Sequence, residues 1–216
     1  MLLPTPEYPP PAPKDPMTDV NNSNTPHFDQ TFSQFDYATR EFTDQEFDNC
    51  LFDGCDFSEA HFYHCSFTDC TFTHCNLNLL QVAHSKFTDV KFMDCKALGI
   101  DWTKAYWRGL NLGAPLWFQR CLINSSSFYG LQQTNMVIES CRAHDVDFRE
   151  ADLSGANFSD SDLTHSLFGN TNLTDTNFQN ASNYDINLNN NILKNAQFSR
   201  YEAVRLLEYL GLRLVD

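Results

Sequence analysis

Eight cysteines and seven histidines are the residues of this 216-residue chain with the most obvious chemical potential. Thiolate and imidazole together suggest a metal centre, and eight thiols suggest a disulfide frame. The spacings fit neither reading well. The cysteines stand at Cys50, Cys55, Cys65, Cys70, Cys75, Cys95, Cys121 and Cys141, with no C-x-x-C pair among them. C-x4-C is not a structural zinc spacing. His61, His64, His74 and His84 are scattered among Asp and Thr, and neither H-E-x-x-H nor a Ser/His/Asp constellation is present. No nucleophile is paired with a base, so no catalytic residue, metal ligand or cofactor site is assigned, and an enzyme is not expected.

What the cysteines do share is a period. In "CLFDGCDFSEAHFYHCSF" (50–67) a phenylalanine follows two residues after Cys50, Cys55, Ala60 and Cys65. Seventeen large centres spaced by five run from Phe32 to Leu112, and seventeen more from Phe118 to Phe198. Seventeen of the nineteen phenylalanines are centres, so chance is not a sufficient account. The weak centres are Ala97, Gln133, Ala143 and Asn183. Two residues before each centre the side chain is often small, and all eight cysteines fall there. The unit therefore reads small–x–large–x–x, with two residues inward and three outward. The cysteines are expected to be buried packing thiols, which behave as small apolar residues.

Units such as "ADLSG", "ANFSD" and "SDLTH" (151–165) resemble the pentapeptide-repeat family, written A(D/N)LXX. The resemblance covers about 170 residues and implies an all-β solenoid, a right-handed quadrilateral β-helix with four repeats per coil. Thirty-four centres then give about 8.5 coils and a rod of roughly 41 Å at a rise of about 4.8 Å. On that geometry Cys55, Cys75 and Cys95 stack on one side, Cys50 over Cys70, and Cys121 over Cys141.

The ends and the middle depart from the repeat. Seven of nine prolines lie in the first sixteen residues, so residues 1–27 are expected to be a disordered Pro-rich extension before the β-helix at 28–198. Leu112 and Phe118 are six apart, which predicts a one-residue break or bulge at 113–117, carried by Gly113, Ala114, Pro115 and Trp117. Trp117 is left either exposed or packed over the bulge. Further irregularity is expected at 95–107, where large neighbours fill the space beside Ala97, and at 128–140, where Leu131 or Met136 replaces Gln133 inside. After Phe198, Ser199 and Glu202 read as a capping box, and Ala203, Leu206, Leu207 and Leu210 as one apolar helical stripe. A C-terminal helix at about 200–210 with a short tail is expected within 199–216. Leu206, Leu207, Leu210, Leu212 and Leu214 offer more apolar surface than a lid needs, so a homodimer through this end is expected.

"CKALGIDW", the central break and "EAVRLLEYLGLRL" look like the Qnr quinolone-resistance and the albicidin- and microcin-resistance pentapeptide proteins. That resemblance implies a dimer that mimics duplex DNA and protects DNA gyrase, and sometimes topoisomerase IV, from poisons. The chain departs from the Qnr pattern in showing no long inserted loop. The alternative is a structural or assembly scaffold with an unrelated partner.

Charge bears on both readings. The net charge of -14 disfavours direct nucleic-acid binding. Residues 36–69 carry nine acids and one base, 139–198 nine acids and three bases, and 86–120 six bases and three acids. The expected partner-binding surface is acidic: Asp44, Asp48, Asp53, Asp145, Asp147, Glu150 and Asp152. Asp69 over Asp89 is the one direct stack of acids expected. Lys86, Lys91 and Lys96 fall on successive sides, a ring rather than a groove. No apolar run is long enough for a membrane span, and no secretory signal is read at the start, so a cytoplasmic location is expected.

Overall fold

The structure is a computed structural model that describes residues 26–107, 116–210 and 212. Its backbone is a parallel solenoid with four sides, wound around one continuous core. Each side is named here by a centre. On the Phe52 side six short strands stack in order: Thr31–Ser33, Leu51–Asp53, Thr71–Thr73, Lys91–Met93, Trp117–Gln119 and Val137–Glu139. Every pairing is parallel and in register, Phe32 with Phe52, Phe52 with Phe72, Phe72 with Phe92. The Phe47 side starts at His27–Phe28, which pairs with Phe47–Asp48. His27 therefore belongs to the first coil and not to the extension; residues 1–25 lie outside the described residues.

The aromatic centres pack in two ways at once. Along a side they stack: Phe52 on Phe72 at 4.5 Å and Phe47 on Phe67 at 5.0 Å, interplanar angles 12° and 9°. Around a corner they meet edge to face: Phe47–Phe52 at 5.4 Å and 72°, Phe52–Phe57 at 5.7 Å and 77°. Both geometries suit the quadrupole of the ring. This is why a residue as large as Phe recurs every fifth position without overfilling the core.

The corners set the rest of the repeat. The second residue after a centre takes a left-handed backbone: Asp44 at φ 54°, Asn49 at 51°, His64 at 55°, Asp69 at 52°, and so on at most fifth residues, with Lys104, Asp185 and Asn190 as exceptions. That conformation disfavours a Cβ, and Asn, Asp, His and Gly tolerate it best. The outward Asp, Asn and His of the repeat thus have a backbone reason to be there, besides solubility.

The small inward positions carry a second ladder. Cys75 N–H donates to Cys95 Sγ at 3.3 Å, Cys95 N–H to Cys121 Sγ at 3.4 Å, and Cys121 N–H to Cys141 Sγ at 3.3 Å. Each thiol in turn donates to a carbonyl one coil back, as Cys95 does to Phe72 O at 3.4 Å. Ser161 and Ser85 occupy equivalent places, with oxygen in place of sulfur. A corner N–H without a backbone partner needs an acceptor once buried, and thiol or hydroxyl supplies it. All eight cysteines are free and buried. Burial pushes the Cys65 thiol up to about 11.

Cys121 stacking on Cys95 corrects the expected register at the break. Phe92 pairs with Phe118 and Lys96 with Leu122, a step of 26 residues where the other coils of this side step by 20. One whole repeat plus one residue leaves the ladder, instead of one residue. The second half is thereby turned by one side from the expected stacking, and the five thiols at 55, 75, 95, 121 and 141 form one file. Gly113, Ala114 and Pro115 lie outside the described residues. Trp117 is a strand residue, 39% exposed, with Lys91 Nζ 5.6 Å above its ring.

The neighbouring irregularities resolve differently. A single 3-10 turn, Trp102–Lys104, swings Trp102 fully inside. Its ring meets Phe87, Phe92 and Phe118 at 5.3, 5.7 and 5.8 Å, filling the space beside Ala97 as expected. The stretch 128–140 is regular. Gln133 remains a buried centre, and Leu131 and Met136 take small positions instead of replacing it. An unexpected slip occurs later. Leu167–Phe168 pairs with Asp185–Ile186, a step of 18. Asn183 becomes the corner at φ 57°, while Tyr184 and Ile186 fill the core and Leu188 packs against it half-buried.

The C-terminal element is a helix of the 3-10 type, Glu202–Leu210, where a helix at about 200–210 was expected. Ser199 Oγ accepts from Asn180 N–H at 2.7 Å, and Ser199 O accepts from Ala203 N–H at 3.0 Å. Leu206 is buried against the core and Leu207 half-buried; the Leu210 side chain and Leu214 lie outside the described residues, and Leu212 is exposed.

Two stability outcomes follow. Phe67→Ala removes a ring stacked on both neighbours and should cost about 3–5 kcal/mol, against less than ~0.5 kcal/mol for outward Thr68→Ala. Equal denaturation midpoints for the two would refute the inward/outward alternation. Cys95→Ala leaves the buried Cys75 N–H without its acceptor and should cost about 1–3 kcal/mol, with most of that retained by Cys95→Ser. A serine variant as unstable as the alanine variant would show that the thiols act by volume alone.

Candidate protein-interaction surface

Corner and side positions divide the acidic residues into different chemical types. Asp44, Asp145 and Glu150 sit on exposed corners. Asp48, Asp53, Asp147 and Asp152 sit on the sides and are half-buried. The solenoid does not gather them into one patch. Asp145, Asp147, Glu150 and Asp152 follow one another around two corners and the sides between, within a single coil.

Their partners also differ. Arg149 grips Asp147 through Nε at 2.9 Å and Nη2 at 2.7 Å, which holds that carboxyl below the usual range and cancels its charge locally. Asp145 and Asp44 each have a histidine one coil on, His165 and His64, at 3.6 Å. Asp53 accepts from Thr73 Oγ1 at 2.8 Å and His74 Nδ1 at 3.2 Å, and Thr73 is the larger cause of its lowered pKa. Asp152 accepts from Ser154 N–H and Asn172 Nδ2, both at 3.0 Å. Both kinds of partner favour the ionised carboxylate, but only arginine brings a positive charge that leaves the pair with no net charge.

The neutral-donor arrangement recurs as a rung. Asn76 donates to Asp56, Asn172 to Asp152, Asn180 to Asp160 and Asn195 to Asp175, each amide twenty residues after its carboxylate. These rungs fix surface carboxylates in place along the rod, Asp56 and Asp152 half-buried and Asp160 and Asp175 exposed. Sequence reasoning missed them, although Asp followed by Asn at a spacing of twenty is a legible signal. It also missed Asp36 beneath Asp56, paired in register, so Asp69 and Asp89 are not the sole direct stack of acids. Asp162 is the most firmly held carboxylate. Burial alone would raise its pKa, but hydrogen bonds from Thr164, Asn183 and His144 outweigh that and keep it well below the usual range.

The bases are placed as expected on successive sides, Lys86 beside Phe87, Lys91 beside Phe92 and Lys96 beside Ala97. Arg120 reaches across the break coil to Asp94 with two bonds of 2.7 and 2.8 Å. Among the described residues no group of three or more His, Cys, Asp or Glu is arranged to hold a metal ion, and no helix is long and apolar enough to cross a membrane.

Comparison with known proteins agrees with this architecture. A trypsin-treated form of QnrB1, described as a plasmid-mediated fluoroquinolone resistance protein, superposes with a TM-score of 0.63 at 19% identity, covering 90% of this chain and 93% of that one. A second trypsin-treated QnrB1 gives 0.59 at 19% identity, covering 88% and 100%. At such identity the likeness establishes the fold. A search of curated proteins finds no match. The family model for the pentapeptide repeat region matches residues 45–115 and 111–178, and with the four-sided coil it places the chain in the pentapeptide-repeat family.

Proposed function

We propose that this chain is a non-enzymatic DNA mimic that binds DNA gyrase, and by extension topoisomerase IV, and shields it from a topoisomerase poison. The observation that carries the reading is a rod of the QnrB1 fold, superposed over 90% of a chain whose net charge is -14. A stiff rod with fixed carboxylates offers a basic, DNA-binding groove the shape and sign of its usual ligand without a phosphodiester to cleave. The corner acids Asp44, Asp145 and Glu150 are the best phosphate substitutes, because they project furthest and no arginine pairs with them in the ion pairs described. Asp147 is a poor one, since Arg149 already neutralises it. The proposal extends to a homodimer through the C-terminal end. There Leu206 anchors the 3-10 helix to the rod, leaving half-buried Leu207 and exposed Val204 for a second copy.

The direct test is gyrase supercoiling in the presence of a fluoroquinolone, with albicidin and microcin B17 in parallel. The purified protein should preserve supercoiling against at least one of them; failure against all three would favour a scaffold with another partner. Asp44→Asn, Asp145→Asn and Glu150→Gln combined should weaken gyrase binding several-fold and flatten its salt dependence, with the melting temperature nearly unchanged. Attraction between surface charges is screened beyond about 8–10 Å at physiological salt, so a wild-type affinity indifferent to salt would sink the electrostatic mechanism. Leu207→Arg should give a folded monomer by light scattering and lose protection. A monomeric wild-type protein would refute the dimer.

A further inference from the structure

One stretch of surface does not fit a DNA mimic. At the corner between the Phe62 and Phe67 sides, two rows run side by side along the rod. The corner row is Asp44, His64 and His84, joined coil to coil by the backbone bonds Asp44 N–Tyr63 O and His64 N–Ala83 O; Lys104 of the 3-10 turn continues it, its carbonyl bonded to His84 N–H and its Nζ 3.8 Å from Asp101 Oδ2. The adjacent row is Glu46, Ser66, Lys86, in strand register, then Tyr106, whose N–H bonds Ser85 O at 2.8 Å. Both rows are acidic at the N-terminal end and basic or aromatic at the other. Between them lies a groove of about 600 Å³. Its walls are ordered by ring contacts: Tyr63 stacks on His64 at 4.1 Å, His64 meets His84 at 5.3 Å, and Lys86 Nζ lies 5.3 Å over the Tyr106 ring.

From this charge order we infer that the groove is a docking site for an extended peptide segment of a partner protein, with a basic residue at one end and an acidic residue about four positions away. Three coil steps of about 4.8 Å separate Asp44 and Glu46 from Lys104 and Tyr106, close to the length of four extended residues. The rows are straight and parallel to the rod, so they fit an extended chain rather than a helix. A nucleic-acid strand is disfavoured by the carboxylates, and a uniformly basic segment by the two lysines. Exposed Tyr63 and Tyr106 supply flat surfaces for the peptide backbone between its charged ends. The groove shares Asp44 with the acids proposed to face gyrase, but its test reads peptide binding alone and needs no topoisomerase.

The test uses three blocked hexapeptides at low salt, Arg-Arg-Ser-Ser-Glu-Glu, Arg-Arg-Ser-Ser-Arg-Arg and Glu-Glu-Ser-Ser-Glu-Glu, titrated against the full chain by calorimetry. The mixed peptide should bind at least tenfold more tightly than either uniform one. Asp44→Lys with Glu46→Lys should switch the preference to the acidic peptide, and Lys86→Glu with Lys104→Glu to the basic one. All these side chains are exposed, and circular dichroism verifies that each variant keeps the fold. Equal binding of the three peptides to the wild type overturns the inference, as does an order of preference that neither pair of substitutions changes. Isotope-edited NMR adds a positional check: shifts induced by the mixed peptide should centre on His64, His84 and Tyr106, and shifts elsewhere alone would also overturn it.

Discussion

The rod depends on one repeating constraint, the parallel backbone ladder that binds each coil to the next. An N–H bonds a carbonyl nineteen positions on or twenty-one back, as Asp44 N does to Tyr63 O and Leu51 N to Gln30 O. To close a four-sided coil in twenty residues the chain must turn sharply every five. That turn requires a left-handed residue at each corner, at a cost of about 1–2 kcal/mol for most side chains. It also points one residue of each repeat inward at the corner, where its N–H has no strand partner. The Phe stacks, the Asn and Asp corners and the Cys, Ser and Thr ladder are three answers to these demands. Cys121 shows the economy of the arrangement: one small side chain accepts an N–H, donates to Phe92 O and fills the corner.

Departures from twenty carry the information that an ideal repeat cannot. The step of 26 at Phe92–Phe118 moves six residues out of the ladder and leaves Trp102 to fill the interior beside Ala97. The step of 18 at Phe168–Ile186 tightens the last coil and brings Tyr184 beneath the C-terminal helix. The step of 26 shifts every later pairing, whereas the step of 18 is local, because Asn172 with Ile192 and Asn177 with Gln197 step by twenty again.

This explains which parts were legible in the sequence. Phe at a spacing of five is visible without structure, because core volume is dictated locally by each repeat. The inward cysteines were legible for the same reason. Register between coils was not, since a break of one residue and a break of one repeat plus one residue leave the same phase between Leu112 and Phe118. Local spacing therefore could not say that Cys121 follows Cys95. The slip at Asn183 was hidden differently. Leu188 keeps the period, but two large residues, Tyr184 and Ile186, fill the core and Leu188 packs against it half-buried. The acidic candidates were correctly read as lying outside the core, yet linear closeness in "HDVDFREAD" did not become spatial clustering, because one coil carries neighbours around corners.

The same geometry limits how a rod of this kind can imitate DNA. Successive corners of one row lie about 4.8 Å apart, whereas duplex DNA carries a charge about every 1.7 Å of its axis. No file of corner acids reaches that density, and pairing lowers it further where arginine is the partner, as at Asp94 and Asp147. What the solenoid provides instead is fixed position. Asn rungs hold Asp152, Asp160 and Asp175 to the coil above without discharging them. A preorganised carboxylate has less side-chain entropy to lose on binding than a free one. Sparse charge can then serve recognition if the partner's groove is matched in width, so that shape sets which surfaces meet and the held carboxylates set the register between them.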